Sequence, residues 1–304
     1  MFMSETTRVG FIGLGLMGAA MAANILRKGF PVTVLAHRNR QPVEALLAEG
    51  ATETASAAEL ARGSDVVIVC VTGTPQVRDV LFRKDGILDG MHDGLVVIDS
   101  STGDPEFAVE ADEAIRARGG RFMDAPVNRT PKEAAEGRLN VLAGGDDAVL
   151  AQVRPVLETY SETIHHVGPL GSGYKAKLIH NFIAQGTTVL LAEAFCTAAK
   201  VGLDLRAFAD LCRLSGAHSR TYDRVVPFVL DGDDSGQKFT LRNAVKDMRS
   251  YTRLAEAAPT TAFAAQAVHQ TYLLAANLGH GDKYVPHLFD VLGQVNGVKV
   301  RADD

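Results

Sequence analysis

Residues 8–29 read RVGFIGLGLMGAAMAANILRKG. The opening five residues form a short, mostly apolar run of the kind that makes a buried strand. From residue 16 to residue 28 the pattern is helical, and Gly29 supplies the stop. Between them lies Gly13-Leu14-Gly15-Leu16-Met17-Gly18, a GxGxxG turn. In a strand-turn-helix setting the first glycine permits the tight turn. The second lets the backbone approach a pyrophosphate, and the third lets helix pack on strand. The helix start then offers backbone N–H groups and a positive dipole end to phosphate. A glycine turn can occur in any α/β domain. Here the flanking strand and helix make dinucleotide binding the expectation, with Gly13, Leu14, Gly15, Leu16, Met17 and Gly18 as its contacts.

The first half of the chain repeats this alternation. Strands are expected at residues 32–35, 65–71, 95–98, 121–124 and 140–143, and helices at 42–49 and 57–61. Strand, helix, strand in short order implies right-handed crossovers and a parallel sheet covered on both faces. The six-residue run VVIVCV at 66–71, the longest unbroken apolar run, suits a strand buried on both sides. It is far short of the ~20 residues of a membrane-spanning helix. Beyond it the character changes. Leu178, Phe182, Val189, Leu190 and Ala194 recur at helical spacing within 173–201. Helical patterns follow at 205–214, 241–257, 261–278 and 285–292, and almost nothing there reads as strand. The cluster Val167-Gly168-Pro169-Leu170-Gly171 breaks both patterns. The expected domains are therefore residues 1–167, an α/β nucleotide-binding domain, and residues 168–304, an all-α domain.

Composition agrees and narrows the function classes. A chain of 304 residues suits two domains, and 46% apolar with 22% charged residues is ordinary globular usage. The net charge of −5, with no Lys/Arg cluster, gives no expectation of nucleic-acid binding. Cys70, Cys196 and Cys212 show no paired spacing, which argues against a disulfide framework and a zinc site. His165-His166 adjoins no residue at ligand spacing, so no metal is expected. Ser4, Glu5, Thr6 and Thr7 precede the first strand where a signal segment would be basic and then apolar. A soluble, cytoplasmic protein is the expectation.

The end of the second strand bears on the cofactor. Enzymes that use NAD usually carry Asp or Glu there for the ribose 2′-hydroxyl. This chain has Ala36-His37-Arg38-Asn39-Arg40. His37, Arg38 and Arg40 would instead suit a 2′-phosphate, which a guanidinium binds bidentately. NADP is expected, with NAD as the alternative, and a solvated basic turn is the plain reading.

Four stretches together carry a resemblance. They are GFIGLGLMG at 10–18, Asp99-Ser100-Ser101-Thr102, Asp124-Ala125-Pro126-Val127, and GSGYKAKLIHN at 171–181. In this order the chain resembles the β-hydroxyacid dehydrogenases, a group including the 3-hydroxyisobutyrate dehydrogenases and the tartronate semialdehyde and sulfolactaldehyde reductases. The resemblance runs from about Arg8 to about Leu292. It implies a Rossmann-type doubly wound parallel sheet followed by a helical domain, and usually a homodimer or homotetramer. It also implies hydride transfer between a nicotinamide cofactor and a small anionic 3-hydroxy acid or semialdehyde.

Site residues follow from the same motifs. The family pattern GxGxxxKxxNN places its catalytic lysine on Lys177 and its second asparagine on Asn181, with His180 in place of the first. Independently, Lys177 and Asn181 are four apart and share a helix face. A surface lysine beside an asparagine is the plain reading. An ammonium in hydrogen-bond reach of a carbonyl can donate the proton that reduction requires, and the amine can take it back. The resemblance further implies cofactor contacts at Val71, Thr72, Thr102 and Lys246, with Asp247 holding Lys246, and substrate contacts at Ser101 and Thr102. Where the family commonly has DAPVSGG, this chain has Asn128-Arg129-Thr130 after Val127. That departure resembles the sulfolactaldehyde reductases and implies an anion clamp at Arg129, with Asn128 and Thr130 adding hydrogen bonds. Arg129 could equally pair with an acid such as Glu133 or Glu136. An imine reductase-like enzyme and a non-catalytic dinucleotide sensor are the alternatives. Imine reductases commonly carry Asp or Tyr in place of the lysine retained here as Lys177, and a sensor has no reason to keep Lys177, Asn181 and Ser101-Thr102 together.

Overall fold

The computed structural model describes residues 7–302. Ser4, Glu5 and Thr6, which bear on how the chain opens, lie outside the described residues. Two compact units are present, residues 1–177 and 178–304.

In the first unit the strands are β1 (Val9–Ile12), β2 (Val32–Leu35), β3 (Thr52–Thr54), β4 (Val66–Val69), β5 (Val96–Asp99), β6 (Arg121–Asp124), β7 (Val127–Asn128), β8 (Leu139–Gly144) and β9 (Ser161–Gly168). Between them run α1 (Gly18–Arg27), α2 (Gln41–Ala48), α3 (Ala57–Arg62), α4 (Thr74–Phe82), α5 (Pro105–Arg116), α6 (Pro131–Ala135) and α7 (Asp147–Leu157). The sheet order is β3-β2-β1-β4-β5-β6-β8-β7, with β9 on β8. The first six strands are parallel, in the doubly wound order of dinucleotide-binding domains. β8 runs antiparallel to β6 and β7 and parallel to β9. Neighbouring residues of one strand enter different cores. Val66 and Ile68 pack with Phe11, Met21 and Ile25. Val67 and Val69 pack with Leu60, Phe107 and Ile115 on the opposite face. This double burial is why β4 reads as an unbroken apolar run.

Three strands and several helices were not expected from the sequence. β3 (TET) is polar and exposed, β7 is two residues long, and β9 (SETIHHVG) is largely exposed. Their ladders come from neighbouring backbones, which composition does not announce. The start of α5 does carry a local signal: Asp104 caps it by accepting from the Glu106 N–H at 3.1 Å, and Pro105 follows.

α8 (Ser172–Lys200) is continuous for 29 residues, and the division between the units falls inside it. This is later than the Gly/Pro cluster suggested, because the first turns of α8 belong to the α/β unit: Tyr174 is fully buried in its core. By length and composition α8 could cross a membrane. Its apolar residues Leu191, Ala192 and Phe195 are buried in the second unit's own core.

The second unit adds α9 (Leu205–Arg213), α10 (Arg220–Val225), α11 (Pro227–Asp231), α12 (Leu241–Ala257), α13 (Phe263–Ala275) and α14 (Leu288–Asn296). Phe195 meets Phe208 and Phe289 edge-on at 5.1 and 5.9 Å, amid Leu241, Met248, Tyr272 and Leu288. Among the described residues its only extended pairing is one bridge, Thr240 to Tyr284.

Candidate active site

The carboxyl edge of the parallel sheet is where ligands of such folds bind. In this chain Ile12, Val69, Asp99 and Asp124 stand in one register row across β1, β4, β5 and β6. The residues that follow each strand therefore line one edge: the glycine turn, Val71-Thr72, Ser101-Thr102 and Val127-Asn128. The sequence quoted these motifs separately. The register brings them together.

At the glycine turn the three glycines do different things. Gly13 has φ +102°, and a Cβ there would lie 2.2 Å from the Cys70 carbonyl oxygen. At Gly18 it would lie 1.9 Å from the Gly13 carbonyl oxygen, so α1 can approach β1 only without a side chain. At Gly15 nothing lies within 4 Å of that position, which leaves the backbone open to an incoming group. α1 has no side-chain cap and no acid in its first turn, so its N-terminal dipole is unopposed from within the helix. This cradle fits the pyrophosphate of a dinucleotide.

The basic turn after β2 divides. Arg40 is bidentate to Glu53, at 3.0 Å for both contacts, and 3.8 Å from Glu44. Asn39 accepts the Gln41 N–H at 3.1 Å. His37 and Arg38 are exposed, and among the described residues Arg38 has no ion-pair partner.

Around Ser101 the edge is tightly built. Its buried hydroxyl accepts the Val71 N–H at 2.9 Å, and its own N–H donates to Asp99 at 2.8 Å. The other Asp99 oxygen accepts the Tyr174 hydroxyl. Asp124 accepts the N–H groups of Gly171 at 2.7 Å and Tyr174 at 2.9 Å, capping the start of α8 from outside the helix. Burial, with the charge of Asp99 adding to it, pushes the Asp124 carboxyl up to about 6; its backbone donors pull the other way. Burial likewise pushes the Cys70 thiol up to about 12, with Asp99 raising it further and Lys177 opposing. Asp99, Asp124 and Tyr174 are site residues that the motif reading quoted without giving them a role. Only the tertiary contacts with α8 reveal it.

Lys177 is half-buried, and its Nζ donates to the Val127 carbonyl at 2.7 Å and to Asn128 Oδ1 at 2.8 Å. The Asn128 side chain, expected on the substrate, thus holds the lysine. Thr130 caps α6 in a box with Glu133. Arg129 has φ +88°. Its guanidinium pairs with Glu162 and donates to the Arg138 carbonyl at 2.6 Å, an engagement with the protein where the sequence suggested one with a ligand or with Glu133 or Glu136.

In the second unit Asn181 is buried, and its Nδ2 donates to Asp247 at 2.7 Å. The other Asp247 oxygen lies 2.9 Å from Lys246 Nζ. Asp247, 1% exposed, thus holds the asparagine as well as the neighbouring lysine. The described residues contain no group of three or more His, Cys, Asp or Glu that could hold a metal.

Comparison with known proteins agrees with this geometry. Residues 8–168 match the NAD-binding domain of 6-phosphogluconate dehydrogenase. Residues 171–291 match the NAD-binding domain of NADP-dependent 3-hydroxyisobutyrate dehydrogenase. A glyoxylate/succinic semialdehyde reductase of Arabidopsis thaliana is 32% identical over 90% of this chain and 94% of its own. The crystal structure of a 3-hydroxyisobutyrate dehydrogenase from Salmonella typhimurium superposes with TM-score 0.85 at 31% identity, over 94% of this chain and 99% of its own. That of the Mycobacterium tuberculosis 3-hydroxyisobutyrate dehydrogenase with L-serine gives 0.82 at 27% identity, over 94% and 99%. The chain belongs to the β-hydroxyacid dehydrogenase family and is an NAD(P)-dependent hydroxyacid dehydrogenase.

Proposed function

We propose that the protein interconverts a small anionic 3-hydroxy acid and its semialdehyde, with NADP as the preferred nucleotide and Lys177 as proton donor and acceptor. The observation that carries this reading is the placement of Lys177 Nζ on the Val127 carbonyl and Asn128 Oδ1, on the sheet edge that holds the glycine turn and Ser101. When bound, the nicotinamide supplies the hydride. The protein's share is geometry and the proton. Lys177 as ammonium donates a proton to the carbonyl oxygen of a semialdehyde, which leaves the alcohol. In the reverse direction the neutral amine takes the hydroxyl proton. Ser101 and Thr102 offer the hydrogen bonds that hold a carboxylate or similar anion beside the reacting carbon, while Asn128 and Thr130, expected on the substrate, are engaged with Lys177 and Glu133. Lys177→Ala is the direct test. Turnover with tartronate semialdehyde should fall by about 10²–10⁴ while the variant still binds NADP. Near-normal turnover would rule out the role of Lys177.

The NADP preference is supported by Arg38, which is exposed and among the described residues has no acidic partner, at the end of β2 where a carboxylate would favour NAD. The motifs put sulfolactaldehyde first and tartronate semialdehyde or a 3-hydroxyisobutyrate-like acid second; that first place rests on Arg129 as an anion clamp, and its guanidinium is engaged with Glu162 and the Arg138 carbonyl.

A further inference from the structure

We propose that Arg129 is a positioning residue for Lys177, one that pins the turn presenting the two acceptors of the Lys177 ammonium. The proposal rests on the reading of Lys177 as the proton donor. β7 is only two residues long, and its residues Val127 and Asn128 are paired with Val141 and Asn140 of β8. Each of the two also gives an oxygen to Lys177 Nζ, the Val127 carbonyl at 2.7 Å and Asn128 Oδ1 at 2.8 Å. The chain then reverses at once through Arg129, whose φ of +88° lies in the left-handed region. A residue with a Cβ is strained there and stays only where its surroundings hold it.

What holds it is its own side chain. The guanidinium is 17% exposed, pairs with Glu162 on β9, and donates to the carbonyl of Arg138 just ahead of β8 at 2.6 Å. One side chain thus ties the corner after β7 to the beginnings of two further strands. Immediately beyond the corner, Thr130 and Glu133 fix the start of α6 by their reciprocal capping bonds. The corner is therefore clamped on both sides, and the acceptors of Lys177 sit next to the clamp.

A ligand clamp and a positioning residue make opposite demands on glycine. Glycine adopts φ +88° without strain, so it needs no guanidinium to stay in place. It has no guanidinium to offer an anion. The full-length Arg129→Ala, Arg129→Gly and Lys177→Ala enzymes are compared on tartronate semialdehyde and on uncharged propanal, with kcat, KM, the pH profile of kcat and NADP affinity as readouts. Arg129→Ala should lower kcat about ten- to a hundredfold on both aldehydes alike, with NADP affinity kept. Carbonyl and amide oxygens favour the ammonium form, so loosening them lowers the lysine pKa. The alkaline limb of the reductive profile should move to lower pH. Arg129→Gly should recover at least tenfold of the kcat lost in Arg129→Ala and return the limb toward its wild-type place.

A loss confined to the KM of tartronate semialdehyde, equal in the alanine and glycine variants, would overturn the proposal and leave Arg129 as a ligand clamp. Should Arg129→Ala fail to fold, Arg129→Gly decides. Wild-type-like kcat ratios on the two aldehydes sustain the positioning role, and a selective loss on the anionic one ends it. A Lys177→Ala enzyme with near-normal turnover removes the underlying proton-donor reading. An inactive Lys177→Ala beside an unaffected Arg129→Ala removes the positioning role alone.

Discussion

Asp99 and Asp124 stand in register at the carboxyl ends of neighbouring strands, and both bind the first turn of the helix that carries Lys177. Asp99 takes the Tyr174 hydroxyl, and Asp124 takes the N–H groups of Gly171 and Tyr174. Two buried carboxylates side by side repel. Here Asp124 caps the start of α8 from outside, while Asp99 joins the Tyr174 hydroxyl of that helix to the Ser101 N–H of the sheet edge. The orientation of Lys177 thus begins at the sheet.

The first prediction concerns pH and stability. The Asp124 carboxyl lies at about 6, against 3.8 for an unperturbed one. Between about pH 4 and pH 6 the native state keeps a proton that the unfolded chain has released, so stability falls as pH rises through that window and levels off above it. Asp124→Asn does not titrate, and its amide sets an N–H against one of the two backbone donors. The variant should be less stable than wild type, with a gap that narrows from pH 4 to pH 6. Urea midpoints across that range test it. A gap that widens with pH would mean that the ionised form is the favoured one.

The glycines should separate folding from cofactor binding. Gly18→Ala puts a Cβ 1.9 Å from a backbone oxygen and should destabilise the domain, seen as a large drop in Tm. Gly15→Ala meets nothing within 4 Å, so Tm should hold while NADP affinity falls, read by fluorescence titration. Equal NADP affinity in wild type and Gly15→Ala would remove the cradle from the phosphate path.

Cofactor choice should depend on Arg38 more than on Arg40. Arg40 is already bidentate to Glu53. Charge-assisted hydrogen bonds contribute about 1.5–3 kcal/mol. Arg38→Ala should therefore raise the KM for NADP roughly ten- to a hundredfold and barely change that for NAD, while Arg40→Ala has the smaller effect. A wild-type enzyme that prefers NAD severalfold would refute the assignment.

Asp247 should matter through both its neighbours. Asp247→Ala leaves the buried Asn181 amide without its acceptor and removes the carboxylate beside the Lys246 ammonium. The cost is about 1–3 kcal/mol of stability, with a fall in kcat/KM. Asp247→Asn keeps an oxygen for Asn181 and should be intermediate in both. Unchanged Tm and turnover in the alanine variant would show that the pair does not organise this part of the helical unit.

The alternation of strand and helix, the glycine turn and the helical second half are legible in the chain, because each is written in local periodicity. The helix expected at 241–257 is α12 at those same residues. The motif residues Ser101, Lys177 and Asn181 were also legible in the chain. Which residue holds which emerges only from packing. β9 has no local signal, since its ladder is supplied by β8, yet it brings Glu162 to Arg129. Asn128 looks like a substrate contact in the motif, and in the fold it is an acceptor for Lys177, 49 residues further along the chain. Asp247 reads as half of an ordinary KD dipeptide until Asn181, 66 residues away, donates to it. Periodicity records which face of an element is buried. It carries no information about which distant partner satisfies a buried polar group, because that choice is made only when the elements pack.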